Sequence, residues 1–403
     1  MFSATTSAPG AWPAIGYESW PWTPSEHSPG SSRTDARRHR GPYQAAVPPD
    51  IAALPLNLPA ELLAEAEDAA TAIARFDAEL GGEIAPFSSV LLRSESAASS
   101  QIENLTASAR AIAEAEIGLS GRRNATEIVG NSKAMSAAIT LAERLDGDAV
   151  LAMHRALLED THPDMAGKWR TEQVWIGGSS TGPHHAMFVP PHHDRVPAAI
   201  EDLVTFADRQ DLPLLPQAAI THAQFETIHP FPDGNGRTGR ALIHSMLRGK
   251  GLTRAVTVPI SAGLLVDTAT YFAALDAYRD GDVAPIVSRV TEATFRALAN
   301  GGHLVDDLRE ARERWSEAVT ARANSGIWRV ADLLLRQPVV SASTLSTELG
   351  IKLSNVYRHL DALVAAGVLT EFTDRRRGRA WRAPEVLTAL DAFAERAGRR
   401  GGV

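Results

Sequence analysis

The sequence predicts a mainly α-helical protein with more than one domain. Of the 403 residues, 44% are hydrophobic and 22% are charged, which is typical of a soluble globular chain with a sizeable core. Apolar residues recur at helical spacing along most of the chain, first in a stripe from Leu62 to Leu80 that ends at Gly81-Gly82. Further helices are expected near 86–98, 102–118, 125–145, 148–158, 196–208, 215–228, 235–250, 264–280 and 284–320.

The N-terminal residues differ in composition from the helical body. Residues 1–40 are rich in Ser, Pro, Gly and Thr, which predicts a mobile arm. Trp12, Trp20 and Trp22 interrupt this segment. Because so much apolar area is seldom left in water, we expect part of the arm to pack on the body.

Composition also excludes several classes of protein. The chain has no Cys, so disulfides, thiolate zinc sites and cysteine nucleophiles are excluded. It starts without the basic and apolar segments of a signal peptide, and no apolar stretch could span a bilayer, which predicts a cytoplasmic protein with no membrane partner. The net charge of −8 argues against a protein that mainly coats nucleic acid. From Gly326 onward, however, 12 Lys or Arg face 8 Asp or Glu, which leaves a locally basic region.

The run His229-Pro-Phe-Pro-Asp-Gly-Asn-Gly-Arg-Thr-Gly-Arg240 has the composition of a phosphate-handling site. His229 can accept a proton near neutral pH, and Asp233 is a hard oxygen ligand suited to Mg²⁺. Gly234 and Gly236 allow the backbone N–H groups to approach an anion.

The apolar run that follows predicts a helix whose N-terminus favours phosphate. Arg237 and Arg240 are three residues apart, so they share a face of this helix and can reach one phosphate chain.

This run resembles the signature of the Fic family, His-x-Phe-x-[Asp/Glu]-Gly-Asn-Gly-Arg-x-x-Arg, and every fixed position is filled. The resemblance covers roughly residues 41 to 310. It implies a protein adenylyltransferase that moves AMP from ATP to a Ser, Thr or Tyr hydroxyl of a protein. It further implies that His229 is the base and that Asp233 holds Mg²⁺. The residues implied to contact the ATP phosphates are Gly234, Asn235, Gly236, Arg237 and Arg240.

Two β-prone runs, Gln173–Ile176 and Ala186–Val189, interrupt the helical pattern and predict a β-hairpin. The hairpin resembles the flap of Fic proteins, which positions a target segment by strand addition, although an ordinary surface hairpin is an alternative. The flap residues implied are Val174, Trp175, Ile176, Gly177, Phe188 and Val189. His184-His185 and His192-His193 flank the second strand, and we favour a structural role for them because no acidic ligand lies between the pairs.

The segment Ser99-Ser-Gln-Ile-Glu-Asn104 resembles the inhibitory motif of Fic proteins, [Ser/Thr]-x-x-x-Glu-[Gly/Asn]. The resemblance implies that Glu103 pairs with Arg240 and occupies the space that the γ-phosphate needs. A surface glutamate on a helix is the alternative. Tyr271 falls where the family has an aromatic pair beside the nucleotide, but a core aromatic is an equal expectation.

The C-terminal residues predict a second domain type. Helices are expected at 327–335, 341–350 and 353–366, followed by strands at 368–372 and 379–382 around a basic turn. This order resembles a winged-helix domain, which binds DNA in some proteins and docks proteins in others. The exposed face of its recognition helix would carry Ser354, Asn355, Tyr357 and Arg358.

The sequence therefore predicts four regions. They are a mobile arm (1–40), a helical region with the inhibitory helix (41–125), a Fic catalytic domain with its flap (126–310) and a winged-helix domain (326–403). The expected partners are ATP, a protein target, the enzyme itself, a possible second copy of the chain, and DNA or a protein at the winged helix. Two rival functions remain open: removal of AMP from a modified protein, and nucleotide sensing by a DNA-binding regulator.

Overall fold

The computed structural model describes residues 12–23, 39–81, 86–179, 181–373 and 378–398. Helices dominate these ranges, which confirms the prediction of a mainly α protein. No helix within them is both long and apolar enough to cross a membrane.

The elements follow in chain order. The helices are α1 (Ala60–Gly81), α2 (Pro86–Ile102), α3 (Ala109–Glu116), α4 (Arg123–Thr140), α5 (Gly147–Leu158), α6 (Val196–Asp208), α7 (Leu214–Ile228), α8 (Asn235–Gly249), α9 (Ile260–Leu265), α10 (Thr268–Arg279), α11 (Ala284–Ala318), α12 (Gly326–Arg336), α13 (Ala342–Leu349), α14 (Leu353–Ala365) and α15 (Pro384–Arg396). The strands are β1 (Gly16–Trp22), β2 (Gly41–Val47), β3 (Val339–Ser341), β4 (Thr370–Glu371) and β5 (Ala380–Arg382).

The single helix expected over 102–118 is in fact two helices with a turn between them. Asn104 adopts a left-handed conformation with φ 61°, and the N–H of Leu105 bonds to the carbonyl of Ser100 at 3.0 Å. Asn tolerates this conformation better than most residues, so α2 ends here. Ser108 then caps α3 with its side chain.

Part of the predicted mobile arm is a strand. β1 pairs antiparallel with β2, from Gly16 opposite Val47 to Trp22 opposite Gly41. Trp12 is 9% exposed, and its ring centroid lies 6.2 Å from that of Tyr278. The expected packing of indoles explains the order of residues 12–23, while residues 1–11 and 24–38 lie outside the described ranges.

The chain forms two compact units. The first comprises residues 1–68, 137–250 and 269–291, and the second comprises 69–136, 251–268 and 292–403. In the first unit, α7 is buried along almost its whole length, and α8 packs closely against it. Gly239 permits this approach, since a Cβ there would lie 2.9 Å from the ring of Phe225.

The second unit has one hydrophobic core that includes the C-terminal residues. Leu91 of α2, Trp315 of α11, Leu334 of α12, Leu360 of α14 and Trp381 of β5 all belong to this core, and none is more than 1% exposed. The boundary predicted near residue 326 therefore falls inside a single apolar cluster.

The C-terminal elements run helix, strand, helix, helix, strand, strand, and their sheet has the order β3-β5-β4. Arg382 of β5 lies opposite both Val339 and Thr370, and both pairings are antiparallel. The helices and the last two strands lie close to their predicted positions, but β3 and α15 were not expected. The predicted turn at 374–377 lies outside the described residues.

Candidate active site

His229 lies at the point where α7 ends. Its backbone is left-handed, with φ 49° and ψ 61°, and its N–H bonds to the carbonyl of Phe225 at 2.8 Å. Apart from Asn104, it is the only non-glycine residue with positive φ in the described part of the chain. Such strain persists only where neighbouring contacts impose it, and it clusters at functional sites.

Arg170 supplies these contacts. Its Nε donates to the carbonyl of His229 at 2.8 Å, its Nη1 donates to that of Glu172 at 3.1 Å, and its own N–H bonds to Pro230 at 3.0 Å. The residue is 3% exposed, and burial lowers the pKa of Arg170 to about 10. A buried guanidinium thus satisfies carbonyls that the end of a helix leaves without partners.

The loop after His229 is built around Phe231, as expected for a packing residue. Phe231 is fully buried and stacks on His154, with ring centroids 3.6 Å apart and planes 3° apart. Trp169 stacks at 5.0 Å. These rings fix the course of the loop.

The side chain of Asn235 closes the loop. Its Oδ1 accepts from the N–H of Phe231 at 2.9 Å, and its Nδ2 donates to the carbonyl of Phe231 at 2.8 Å. Both polar groups of the carboxamide are therefore bound to backbone. The carboxamide thus shapes the loop, and the predicted contact of Asn235 with phosphate can be made through its backbone N–H.

His154 of α5 supports the same loop by packing against Phe231. Its Nδ1 accepts from the N–H of Gly167 at 3.0 Å, so the proton is on Nε2, which donates to the carbonyl of Asp233 at 3.0 Å. Burial lowers the pKa of His154 to about 4, so the neutral ring persists at physiological pH.

The N-terminus of α8 has the features of an anion site. Gly234 precedes it with φ 80°, and a Cβ at this position would lie 2.7 Å from Leu157, so both conformation and space require glycine. No side chain caps the helix. The N–H groups of Asn235 and Gly236 have no acceptor within the helix and meet the positive end of its dipole, which suits phosphate.

Charged side chains of the motif surround this helix end. Asp233 is 51% exposed at its side chain, its Oδ1 accepts from the N–H of Gly234 at 2.7 Å, and its Oδ2 lies 3.3 Å from Nη2 of Arg237. Arg237 and Arg240 are 3% and 1% exposed. The structure thus brings a carboxylate and a guanidinium of the motif together beside the free helix end.

The ring of His229 is held neutral. Burial lowers the pKa of His229 to about 3, and the guanidinium groups of Arg170 and Arg279 act in the same direction. The backbone of Glu226 and the charge of Asp233 oppose them, and Nδ1 lies 3.8 Å from Oε2 of Glu226. The side chain is 18% exposed, so a substrate can reach it. A neutral, reachable imidazole is the form that a general base needs.

The predicted hairpin is reduced to one bridge. Ile176 and Phe188 pair antiparallel, with the N–H of Ile176 donating to Phe188 at 2.8 Å, but no ladder extends from them. Instead, the carbonyl of Val189 accepts from the N–H of Ala46 in β2 at 3.0 Å. Val174, Trp175 and Gly177 lie on the same irregular segment.

Tyr271 is a core residue in this structure. It is 1% exposed, and its hydroxyl lies 2.7 Å from Nε2 of His222. This burial favours the packing role, and the nucleotide contact stays a prediction. The adjacent Phe272 is 48% exposed.

The residues predicted for the inhibitory motif lie in α2 and in the turn just after it. Ser99 is fully buried in α2, and Glu103 is exposed in the turn after it. Asp194 gathers two of the noted histidines: its carboxylate lies 3.2 Å from Nδ1 of His192 and 3.7 Å from Nε2 of His193. The ring of His192 also stacks on Trp20, with ring centroids 3.7 Å apart. The structural role favoured for these histidines stays a prediction.

The contiguous motif could not reveal Arg170, His154 or Glu226. Arg170 and His154 lie 59 and 75 positions before His229 in the sequence and reach the loop only in the folded chain. The one sequence signal was His154, which lies among apolar residues of the helix predicted at 148–158. Arg170 lies outside the helices and gave no such signal.

The Fic signature implies this arrangement of base, glycine loop and helix end. Residues 144–247 match the model of the Fic/DOC family. The match spans α5 to α8 and thus the whole motif loop.

Two curated proteins and one solved structure are similar to this chain. Protein adenylyltransferase Fic of Nematostella vectensis is 28% identical over 195 residues, which are 47% of this chain and 43% of the relative. Protein adenylyltransferase fic-1 of Caenorhabditis elegans is 31% identical over 193 residues, 45% of this chain and 35% of the relative. The chain thus spans less than half the length of these relatives.

The crystal structure of a Fic family protein from Desulfovibrio desulfuricans G20 aligns with this chain over 82% of this chain and 97% of the crystallised one. Its TM-score is 0.52 at 22% identity. This likeness shows a shared fold.

Proposed function

We propose that this protein is a protein adenylyltransferase, which transfers AMP from ATP to a hydroxyl of a protein. The observation that carries the proposal is the juxtaposition of His229, a neutral base at the strained end of α7, with the uncapped N-terminus of α8 six residues later. The relatives named as protein adenylyltransferases support the same activity.

The chemistry follows from the residues. His229 takes the proton of a Ser, Thr or Tyr hydroxyl, whose oxygen forms a bond to the α-phosphorus of ATP. The bond from the α-phosphorus to the bridging oxygen breaks, and pyrophosphate leaves. The N–H groups of Asn235 and Gly236 stabilise the charge on the phosphate oxygens, and Arg237 and Arg240 hold the outer phosphates.

Mg²⁺ fits this site. Asp233 offers a half-exposed carboxylate beside the anion loop, and Mg²⁺ usually binds proteins through one or two carboxylates while substrate phosphates and water complete its coordination. When bound, the ion would neutralise charge on the phosphates.

Auto-inhibition by Glu103 forms part of the proposal. It rests on the match of residues 99–104 to the inhibitory motif and on the exposed position of Glu103 just after α2. A carboxylate in the γ-phosphate position would repel ATP and engage Arg240. If removal of AMP is the true activity, Glu103→Gly will lower the rate at which AMP-modified protein loses AMP.

We further propose that the C-terminal elements form a winged helix that recognises a partner. Their order supports this, and Ser354, Asn355, Tyr357 and Arg358 are all exposed on α14. Salt-dependent retention on DNA would identify DNA as the partner, whereas no retention on DNA would favour a protein. We also propose that the enzyme modifies itself and that a second copy of the chain is a partner.

The reaction is tested with ATP labelled at either the α- or the γ-phosphate. The purified Glu103→Gly variant, incubated with Mg²⁺ and each label, should acquire the α-label and not the γ-label. Transfer of the γ-label would make the protein a kinase-like enzyme and overturn the proposal. Arg237→Ala should lower labelling, whereas Arg122→Ala, which changes an exposed Arg outside the motif, should leave it unchanged.

A further inference from the structure

Arg279, the last residue of α10, is a cation that the Fic signature does not include. Its side chain is 11% exposed, and Nη1 donates to Oδ1 of Asp276 at 2.7 Å. Its Nε is buried and makes no hydrogen bond within the described residues. A buried guanidinium with an unsatisfied N–H costs free energy, so its position calls for a functional reason.

The guanidinium lies on the flap. Its central carbon is 3.8 Å from the ring centroid of Phe188, which is close for a cation–π contact. Phe188 is 8% exposed and is the residue that pairs with Ile176 in the single bridge of the flap. Arg279 therefore contacts the residue through which the two flap segments form their β-bridge.

The same guanidinium lies near the base. Its positive charge, like that of Arg170, adds to burial in lowering the pKa of His229. Burial lowers the pKa of Arg279 in turn, and the negative charge of Glu226 opposes this shift. Glu226 is 3.8 Å from the ring of His229. The cation is thus within electrostatic range of the base and in direct contact with the flap.

We propose that Arg279 is a positioning residue that fastens the flap beside His229, so that a target segment held by the flap presents its hydroxyl to the base. The inference rests on the proposed function for its effect on rate, but the contact with Phe188 stands without it. A flap joined by one bridge has little order of its own, and the stacked cation restricts the motion of its central residue.

Three variants separate charge, packing and the exposed ion pair. Arg279→Met keeps the length of the side chain but removes the cation, Arg279→Lys keeps the cation, and Asp276→Asn weakens only the pair whose carboxylate is 67% exposed. In the Glu103→Gly background we expect Arg279→Met to lower kcat about tenfold, as loss of a desolvated cation–π contact implies, with KM for ATP unchanged. Arg279→Lys should recover part of the loss, and Asp276→Asn should match the parent.

Hydrogen exchange gives a readout that does not depend on AMP transfer. Arg279→Met should speed amide exchange across 173–189, which includes the N–H groups of Ile176 and Met187, while exchange in α7 and the melting temperature stay unchanged. If the flap loosens but no variant transfers AMP, the proposed function fails and the positioning role stands. The inference is overturned by parent-like exchange and kcat in Arg279→Met, by equal losses in the Met and Lys variants, or by a rise in KM for ATP alone.

Discussion

The Nε2 of His154 lies 3.0 Å from the backbone carbonyl of Asp233, and the Nδ1 of the same ring accepts from the N–H of Gly167. One buried imidazole thereby joins α5 to the anion loop through two backbone hydrogen bonds. The geometry makes the tautomer of His154 a condition for the shape of the loop that holds Asp233 and Gly234.

Replacing this ring should damage the loop. His154→Leu leaves an N–H and a carbonyl without partners, so we expect a loss of about 2–4 kcal/mol in the free energy of unfolding together with weaker nucleotide binding. Urea denaturation and titration with a fluorescent ATP analogue measure the two effects. His162→Leu is the control, since within the described residues the side chain of His162 bonds only to the neighbouring Thr161. Parent-like stability in His154→Leu would refute the buttressing role.

The free energy of unfolding should decrease as the pH is lowered below about 6.5. His222 is fully buried beside the hydroxyl of Tyr271, and burial, aided by Arg240, lowers the pKa of His222 to about 3. Below the pKa of an unfolded His, the unfolded chain binds a proton that the folded chain does not. Unfolding is then favoured by about 1.4 kcal/mol for each pH unit between roughly 6.5 and 4.

The test compares the parent with His222→Gln by urea denaturation at pH 7.5, 6.0 and 5.0. The slope of the unfolding free energy against pH should be smaller in the variant, by up to one proton. Identical slopes would mean that His222 does not stay neutral in the folded protein.

Deletion of the C-terminal residues should unfold the second unit. Removal of the chain from Gly326 onward takes Leu334, Leu360 and Trp381 out of the core and exposes Leu91 and Trp315. We expect aggregation, measured by size-exclusion chromatography, or loss of cooperative melting, measured by circular dichroism. A shorter truncation from Arg399 removes none of these residues and is the control. A soluble, cooperatively melting product of the long truncation would show that the C-terminal residues are dispensable for this core.

Arg240 should be essential for the activity that Glu103 restrains. The wild type is expected to be nearly silent and Glu103→Gly to gain auto-AMPylation. The double variant with Arg240→Ala should transfer AMP roughly tenfold to a hundredfold more slowly than Glu103→Gly, because charge-assisted bonds to phosphate disappear. Arg248→Ala on the same helix but outside the motif is the control. Equal labelling of wild type and Glu103→Gly would remove the inhibitory role.

The sequence predicted the site where its residues are contiguous. His229 to Arg240 carries base, carboxylate, glycines and guanidinium groups within one loop and one helix turn, so their proximity follows from chain connectivity. Arg170 and His154 reach the loop from other elements, and no local pattern marks them. The carboxamide of Asn235 was expected on phosphate because its competing backbone partners at Phe231 become visible only once the loop is folded.

The fold was predictable to a similar degree. Apolar periodicity located α7 and α8 closely, since both are long and regular. It gave no sign that residues 326–398 share a core with α2, because the spacing of apolar residues shows that a face is buried but not what buries it. β1 was missed because Gly, Pro and Ser in its surroundings outweighed its paired Trp and Tyr residues.

We propose His229 as the base for transfer of AMP. The most direct test is the intact mass of Glu103→Gly after incubation with ATP and Mg²⁺, measured beside Glu103→Gly combined with His229→Ala. We predict that the first protein gains the mass of at least one AMP. The second should gain none, although it still melts cooperatively and still binds nucleotide, since a general base is worth about 10²–10⁴ in rate. Equal gains in both proteins, or no gain in either, would contradict the account.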